Sequence, residues 1–134
     1  MDVEKLLYKK ESYVIRGACF DIYKKFGGAF KESVIHKALV TELKHQGLRM
    51  ENQKRIEITH RGVKVGVYIP DIVVDERILI ELKSKPFITK EDERQFWYYL
   101  KGSDYRLGFL INFSPSRLEI KRRVYDQARK EFSA

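Results

Sequence analysis

Pro70-Asp71-Ile72-Val73-Val74-Asp75-Glu76-Arg77-Ile78-Leu79-Ile80-Glu81-Leu82-Lys83 is the stretch that decides the fold. Two short apolar runs, Ile72–Val74 and Ile78–Leu82, flank Asp75-Glu76-Arg77, the pattern of two strands joined by a tight loop. With a loop at 75–77, Val74 stands opposite Ile78, Ile72 opposite Ile80 and Asp71 opposite Glu81. Opposed residues share a face. Ile72, Val74, Ile78, Ile80 and Leu82 therefore make one apolar face, and Asp71, Val73, Leu79, Glu81 and Lys83 make the other. Two carboxylates directly across a strand pair repel, by roughly 3 kcal/mol at ~5 Å with an effective dielectric near ~20. A fold gains nothing from that unless a cation sits between them. Hard divalent cations such as Mg2+ take oxygen ligands, which two carboxylates, a backbone carbonyl and waters supply. Lys83 follows Glu81 on the same face, where an ammonium can orient a water or stabilise charge as it attacks phosphorus. A two-residue loop would instead turn Asp71 away and leave Glu81 and Lys83 as an ordinary surface pair. The hairpin alone leaves both readings open, because an Asp followed by E-x-K is a short pattern.

Working outward, the sequence predicts helices before this hairpin and a helix and two strands after it. From about Val3 to Phe26 the rhythm is helical, with Ile15, Ala18, Cys19, Ile22 and Phe26 on one stripe and Gly27-Gly28 as a stop. A second helix is expected from about Phe30 to Gln46, with Val34, Ile35, Ala38, Leu39 and Leu43 inward and Gly47 ending it. Residues 53–60 alternate Ile56 and Ile58 with polar neighbours. Arg61-Gly62 turns the chain, and residues 63–69 answer with Val63, Val65, Val67 and Ile69 on one face. Thr89 reads as the N-cap of a helix carrying Glu91, Asp92 and Glu93 in its first turn and ending near Gly102, with Phe96, Trp97 and Leu100 inward. Residues 107–113 and Leu118–Val124 read as strands, and the tail from Tyr125 has no clear place. The order predicts an α/β or α+β domain, a mixed sheet with helices packed on it.

The 134 residues suit one domain over 1–134, without linker or repeat. The lone Cys19 excludes a disulfide scaffold and is most simply a core residue. No run of apolar residues is long enough for a membrane span, and the start has no signal-peptide character. A soluble, intracellular, cytoplasmic protein without a membrane partner is expected. Lys and Arg number 27 against 19 Asp and Glu, a formal +8, which suits a polyanionic partner and also plain solubility. Lys83, Lys85 and Lys90 lie at or just after the hairpin, and Lys121, Arg122 and Arg123 form a run near the end. These are candidate phosphate contacts, which would give salt-dependent affinity without sequence readout. His36, His45 and His60 lack metal-ligand spacing.

The literal Pro70-Asp71…Glu81-x-Lys83 resembles the PD-(D/E)XK nuclease superfamily, and the chain is similar to its small GxxExxY family over about residues 13–124. Residues 15–39 resemble that family's opening helix, glycine turn and Glu-bearing helix. Residues 62–84 resemble its central hairpins, and 95–101 with 107–124 its closing helix and strands. The resemblance implies a restriction-endonuclease-like core, a central mixed sheet flanked by helices. It implies Asp71 and Glu81 as ligands of Mg2+ or Mn2+, with the Leu82 carbonyl, Lys83 at the attacking water, Glu32 as an additional acid, and Gln95 beside the site. The naming motif departs here, as Ala29-Phe30-Lys31-Glu32-Ser33-Val34-Ile35 keeps the Glu without the Gly and Tyr, and Tyr23 stands where His is common. The expected function is metal-dependent hydrolysis of phosphodiester bonds, in DNA, with a homodimer as one way to cut two strands. The alternatives are a non-catalytic nucleic-acid-binding module and a subunit of a larger nucleic-acid-processing complex.

Overall fold

β4 (Ile72–Val74) and β5 (Ile78–Lys83) form the expected antiparallel hairpin, with Ile72 opposite Ile80, Val73 opposite Leu79 and Val74 opposite Ile78. A computed structural model of the chain describes residues 7–125. Asp75 and Glu76 both take positive φ in the loop, and Arg77 N–H closes it on the Val74 carbonyl at 2.9 Å. Asp75 also accepts from Arg49 N–H at 2.9 Å through its side chain, the local bonding that lets an Asp tolerate the left-handed region.

β6 (Leu107–Phe113) lies parallel beside β5, and β7 (Leu118–Val124) runs antiparallel along β6. β1 (Met50–Asn52) covers the other side of β4, giving a five-stranded mixed sheet in the order β1-β4-β5-β6-β7. The sequence does not predict β1, since three residues, one of them apolar, show no alternation. All of β6 is buried, as a strand covered on both faces should be.

One face of the sheet packs on α1 (Lys9–Phe26) and α2 (Glu32–His45). Their stripes Ile15, Cys19, Ile22 and Ile35, Leu39, Leu43 meet Ile72, Val74, Ile78, Ile80 and Leu82. Cys19 is a core residue, and burial pushes its thiol up to about 12, against the nearby positive charge of Arg16. Val34 is a correction: it faces outward, 38% exposed, because it is rotated by about 100° from Ile35 at the first turn of α2. The helical rhythm before Leu7 and the tail after Tyr125 lie outside the described residues, while Tyr125 itself is buried against Trp97.

The opposite face packs on α3 (Lys90–Gly102), through Val73, Leu79 and Leu110 against Phe96 and Leu100. α3 begins with the expected cap. Asp92 N–H donates to Thr89 Oγ1 and Thr89 N–H donates to Asp92 Oδ2, both at 3.0 Å. β2 (Ile56–His60) and β3 (Val63–Tyr68) form a separate two-stranded ribbon that joins this second core. Its orientation corrects the sequence expectation. Val63, Val65 and Ile69 are exposed, while Tyr68 is buried opposite Ile56. Because the ribbon is not part of the main sheet, it reaches the core through Ile56 and Tyr68, with Ile58 packed beside them, and Val63, Val65 and Ile69 turn to solvent.

Gly28 is needed where the segment joining α1 to α2 meets the end of β6. A Cβ there would overlap the Ser114 carbonyl and come 2.6 Å from Pro115 N. Tyr23 Oη donates to the same carbonyl at 2.5 Å. Gly28→Ala is expected to cost about 1–3 kcal/mol through overpacking, measured by urea denaturation. Gly17→Ala, at an exposed helix position where an added methyl meets nothing, should be neutral or stabilising by up to about 1 kcal/mol. Equal effects of the two substitutions would contradict the close approach at Gly28.

Candidate active site

The β4–β5 ladder stops at Ile72 and Ile80, and one step further the two acids take over. Leu82 N–H donates to Asp71 Oδ2 at 2.8 Å, and Asp71 N–H donates to Glu81 Oε1 at 3.2 Å. Each carboxylate is thus held by the main chain of the neighbouring strand. The Asp71 carbonyl accepts from Gln53 N–H at 3.2 Å, which ties the same corner to the residue after β1. Both acids are half-buried. Burial first, and then the negative charge of Asp71, push the Glu81 carboxyl up to about 7, against Lys83, the Asp71 N–H and the Tyr68 hydroxyl.

Lys83 ends β5 on the same face as Glu81 and is half-buried. Among the described residues it takes part in none of the ion pairs, unlike Lys85, which pairs with Asp92 at 2.7 Å. Glu32 opens α2, and its charge is felt by the same group of side chains. Partial loss of water and then the negative charge of Asp71 hold its carboxyl above the usual range, against Lys83 and His36. Gln95 of α3 lines a narrow cleft of about 10 Å3 together with Glu81, Lys83 and Asp92. The structure therefore brings Asp71, Glu81, Lys83, Glu32 and Gln95 to one corner, at the carboxyl end of β5. Leu82 turns its side chain into the α1–α2 core, and its N–H braces Asp71.

The segment leaving the site is held by Asn112, which is fully buried opposite Lys83 on β6. Asn112 Oδ1 accepts from Lys85 N–H at 3.0 Å, and its Nδ2 donates to the Lys85 carbonyl and to Glu119, each at 2.9 Å. Buried amide and carboxylate groups satisfied in this way fix the main chain after β5.

The other basic candidates are more dispersed. Lys90 is exposed at the start of α3. Along β7, Lys121 is level with Glu81, and Arg122 and Arg123 are level with Ile80 and Leu79, two strands away from β5. Successive residues of a strand point to opposite faces, so the run is divided. Arg122 donates to the Leu7 carbonyl at 3.0 Å, and Arg123 pairs with Glu93 at 2.7 Å. His36 bonds Asn52 Oδ1 at 3.0 Å, while His45 and His60 are exposed.

Tyr68 is the residue that sequence reasoning missed. It is 4% exposed, its ring stacks on Tyr99 at 4.1 Å, and its hydroxyl is buried beside Glu81 without closing a hydrogen bond of good geometry. Burial and the Glu81 charge hold that hydroxyl firmly protonated, its pKa raised above the usual range. The available signal was an aromatic among valines, on the face opposite the one taken to be inward.

Among the described residues no group of three or more His, Cys, Asp or Glu side chains is gathered to hold a metal by itself. The pair present nonetheless suits a hard divalent cation. Asp71 Oδ1 and Glu81 Oε2 are the oxygens not taken by backbone amides, and Mg2+ commonly uses only one or two carboxylates beside waters and substrate phosphate. The same pair makes a pH prediction for metal-free protein. Glu81 is raised from 4.5 to about 7, so between those values the folded chain keeps a proton that the unfolded chain has lost. Stability therefore falls as pH rises across that window. Asp71→Asn removes the second cause and should flatten the fall, measured by urea denaturation at about pH 5 and about pH 8. An unchanged slope would contradict the coupling.

A family model of the PD-(D/E)XK nuclease superfamily matches residues 9–123. No curated protein matches the chain. The crystal structure of SSO0001 is similar at 20% identity and a TM-score of 0.50, over 94% of this chain and 62% of that one. The chain thus spans less than two thirds of that protein's length, and the likeness is one of fold. The family match runs from the first residue of α1 to the penultimate residue of β7, so it takes in the mixed sheet and its three helices. On that evidence the fold is restriction-endonuclease-like, and the chain belongs to the PD-(D/E)XK nuclease superfamily.

Proposed function

We propose that the protein is a nuclease that hydrolyses phosphodiester bonds in DNA with one or two Mg2+ or Mn2+ ions. The observation that carries this reading is the pair of carboxylates held against each other by amides of the opposite strands, with Lys83 next in line. Their repulsion is a cost that a bound cation would remove. Asp71 and Glu81, with the Leu82 carbonyl, would hold it. When bound, such a cation supplies Lewis-acid stabilisation of the charge that develops at phosphorus. Lys83 orients the attacking water and adds its own positive charge at that point. Glu32 faces the pair from α2 as an additional acid, and Gln95 offers an amide from α3.

The shape of the corner supports a polymeric substrate. The cleft beside Glu81 and Lys83 is about 10 Å3, against the roughly 300–1,000 Å3 of pockets that enclose small molecules. A larger cavity of about 460 Å3 lies elsewhere, along α2 and the end of β1. The formal charge of +8 supports an anionic partner. In this reading Lys85, Lys90, Lys121, Arg122 and Arg123 contribute phosphate contacts, Lys85 and Arg123 by exchanging their internal carboxylate partners. Within the superfamily we assign the chain to the GxxExxY branch, on the strength of the Glu32 segment. A homodimer would let one site act on each strand. Among the described residues no helix is long and apolar enough to cross a membrane, and an intracellular, cytoplasmic location is part of the same proposal.

Asp71→Ala, Glu81→Ala and Lys83→Ala should each lower cleavage of supercoiled plasmid or single-stranded DNA by about a hundredfold or more, with the circular dichroism spectrum retained. Mg2+ or Mn2+ should support cutting and EDTA should stop it. Cutting that persists in a variant lacking all three side chains would overturn the proposal.

A further inference from the structure

Two exposed phenylalanines stand on braced loops at the rim of this corner. Phe30, 44% exposed, lies two residues before Glu32, and its carbonyl accepts from Ser84 Oγ at 3.5 Å, directly after Lys83. Phe87, 60% exposed, lies in the segment between β5 and α3. Both segments are anchored on Ser114. Its hydroxyl donates to the Pro86 carbonyl at 2.8 Å, and its own carbonyl lies against Gly28. Asn112 grips Lys85 from both sides, Ile88 N–H donates to Glu119 at 3.0 Å, and Phe26 packs edge-on against Phe30 at 5.3 Å. Rings held out on a fixed main chain have already lost much of the freedom that binding would remove.

We propose that Phe30 and Phe87 form a stacking site for unpaired bases, so that the substrate class is single-stranded DNA or a splayed end rather than closed duplex. This rests on the nuclease reading of the neighbouring carboxylates. Inside a closed duplex the faces of the bases are covered by their neighbours, and only an unpaired base offers one to a phenyl ring. The rim is also cationic, with Lys31 and Lys90 exposed beside the two loops. An occupant that combines flat apolar faces with negative charge fits it. A second copy of the chain, carrying the same +8, does not.

The test is equilibrium binding by fluorescence anisotropy in EDTA, where no cutting occurs. The full chain is titrated onto a labelled single strand, an abasic strand of the same length and a blunt duplex. The base-bearing strand should bind about 25- to 100-fold more tightly than the abasic one. Phe30→Ala and Phe87→Ala should each weaken binding of the base-bearing strand by about five- to tenfold and leave the abasic strand nearly unchanged. Phe87→Trp should keep or raise the preference, and Tyr13→Ala, at an exposed aromatic of α1, should leave all three affinities alone. Equal binding of base-bearing and abasic strands overturns the inference. So does a Phe30→Ala/Phe87→Ala variant that keeps the preference, or one that changes only the sedimentation of the protein. A wild type that shows no preference for the base-bearing strand, yet cuts in a metal-dependent way that requires Lys83, would sink the stacking site alone. Base-dependent binding through both rings without cutting of any substrate would sink the nuclease reading and the substrate assignment with it, while the stacking site itself would stand.

Discussion

Beyond Ile72 and Ile80 the hydrogen bonding between β4 and β5 passes from main chain to carboxylates, and the candidate site depends on that substitution. Asp71 and Glu81 each accept the amide that a longer ladder would have paired with a carbonyl. The exchange satisfies two backbone donors and sets the acids in place before anything binds. It also half-buries an acid beside a like charge, and burial first, then the Asp71 charge, drive Glu81 up to about 7. Neither acid can relax away without leaving an amide unpaired.

The strands carrying this pair are held from both sides. Alternate residues of β5 enter two different cores, Ile78, Ile80 and Leu82 toward α1 and α2 and Leu79 toward α3. The candidate site is confined to the end of β5. There β5 and β6 run parallel, and the crevice beyond the carboxyl ends of such strands is where open sheets bind ligands. The first turn of α2 brings Glu32 to it from one side, and α3 brings Gln95 from the other.

Much of this was legible because it is local. The residues between Val74 and Ile78 set the parity of β4 against β5, and parity alone sends Asp71 and Glu81 to one face. Thr89 and Asp92 announced α3, and the unbroken apolar run 107–113 announced a strand covered twice. What stayed hidden is non-local. Alternation in residues 63–69 says which side chains share a face and not which face is covered, so Tyr68 went unnoticed beside exposed valines. β1 is too short to show a period. The run Lys121-Arg122-Arg123 looks continuous in sequence, yet strand geometry splits it between two faces. The approach of Glu32 to Asp71 crosses from a helix to a strand, and no spacing encodes it. Only the family resemblance implied that Glu32 joins the site.

The central claim is that the crossed carboxylates form a seat for a divalent cation. Calorimetric titration of the full chain with Mn2+, beside Glu81→Gln and Asp71→Asn, tests it without requiring a substrate to be known. The account predicts saturable binding to the wild type at one or two sites and its loss in both variants, with their far-ultraviolet spectra unchanged. Binding that survives both substitutions would contradict it, and so would a wild type that takes up no Mn2+ at pH 8, where Glu81 is ionised.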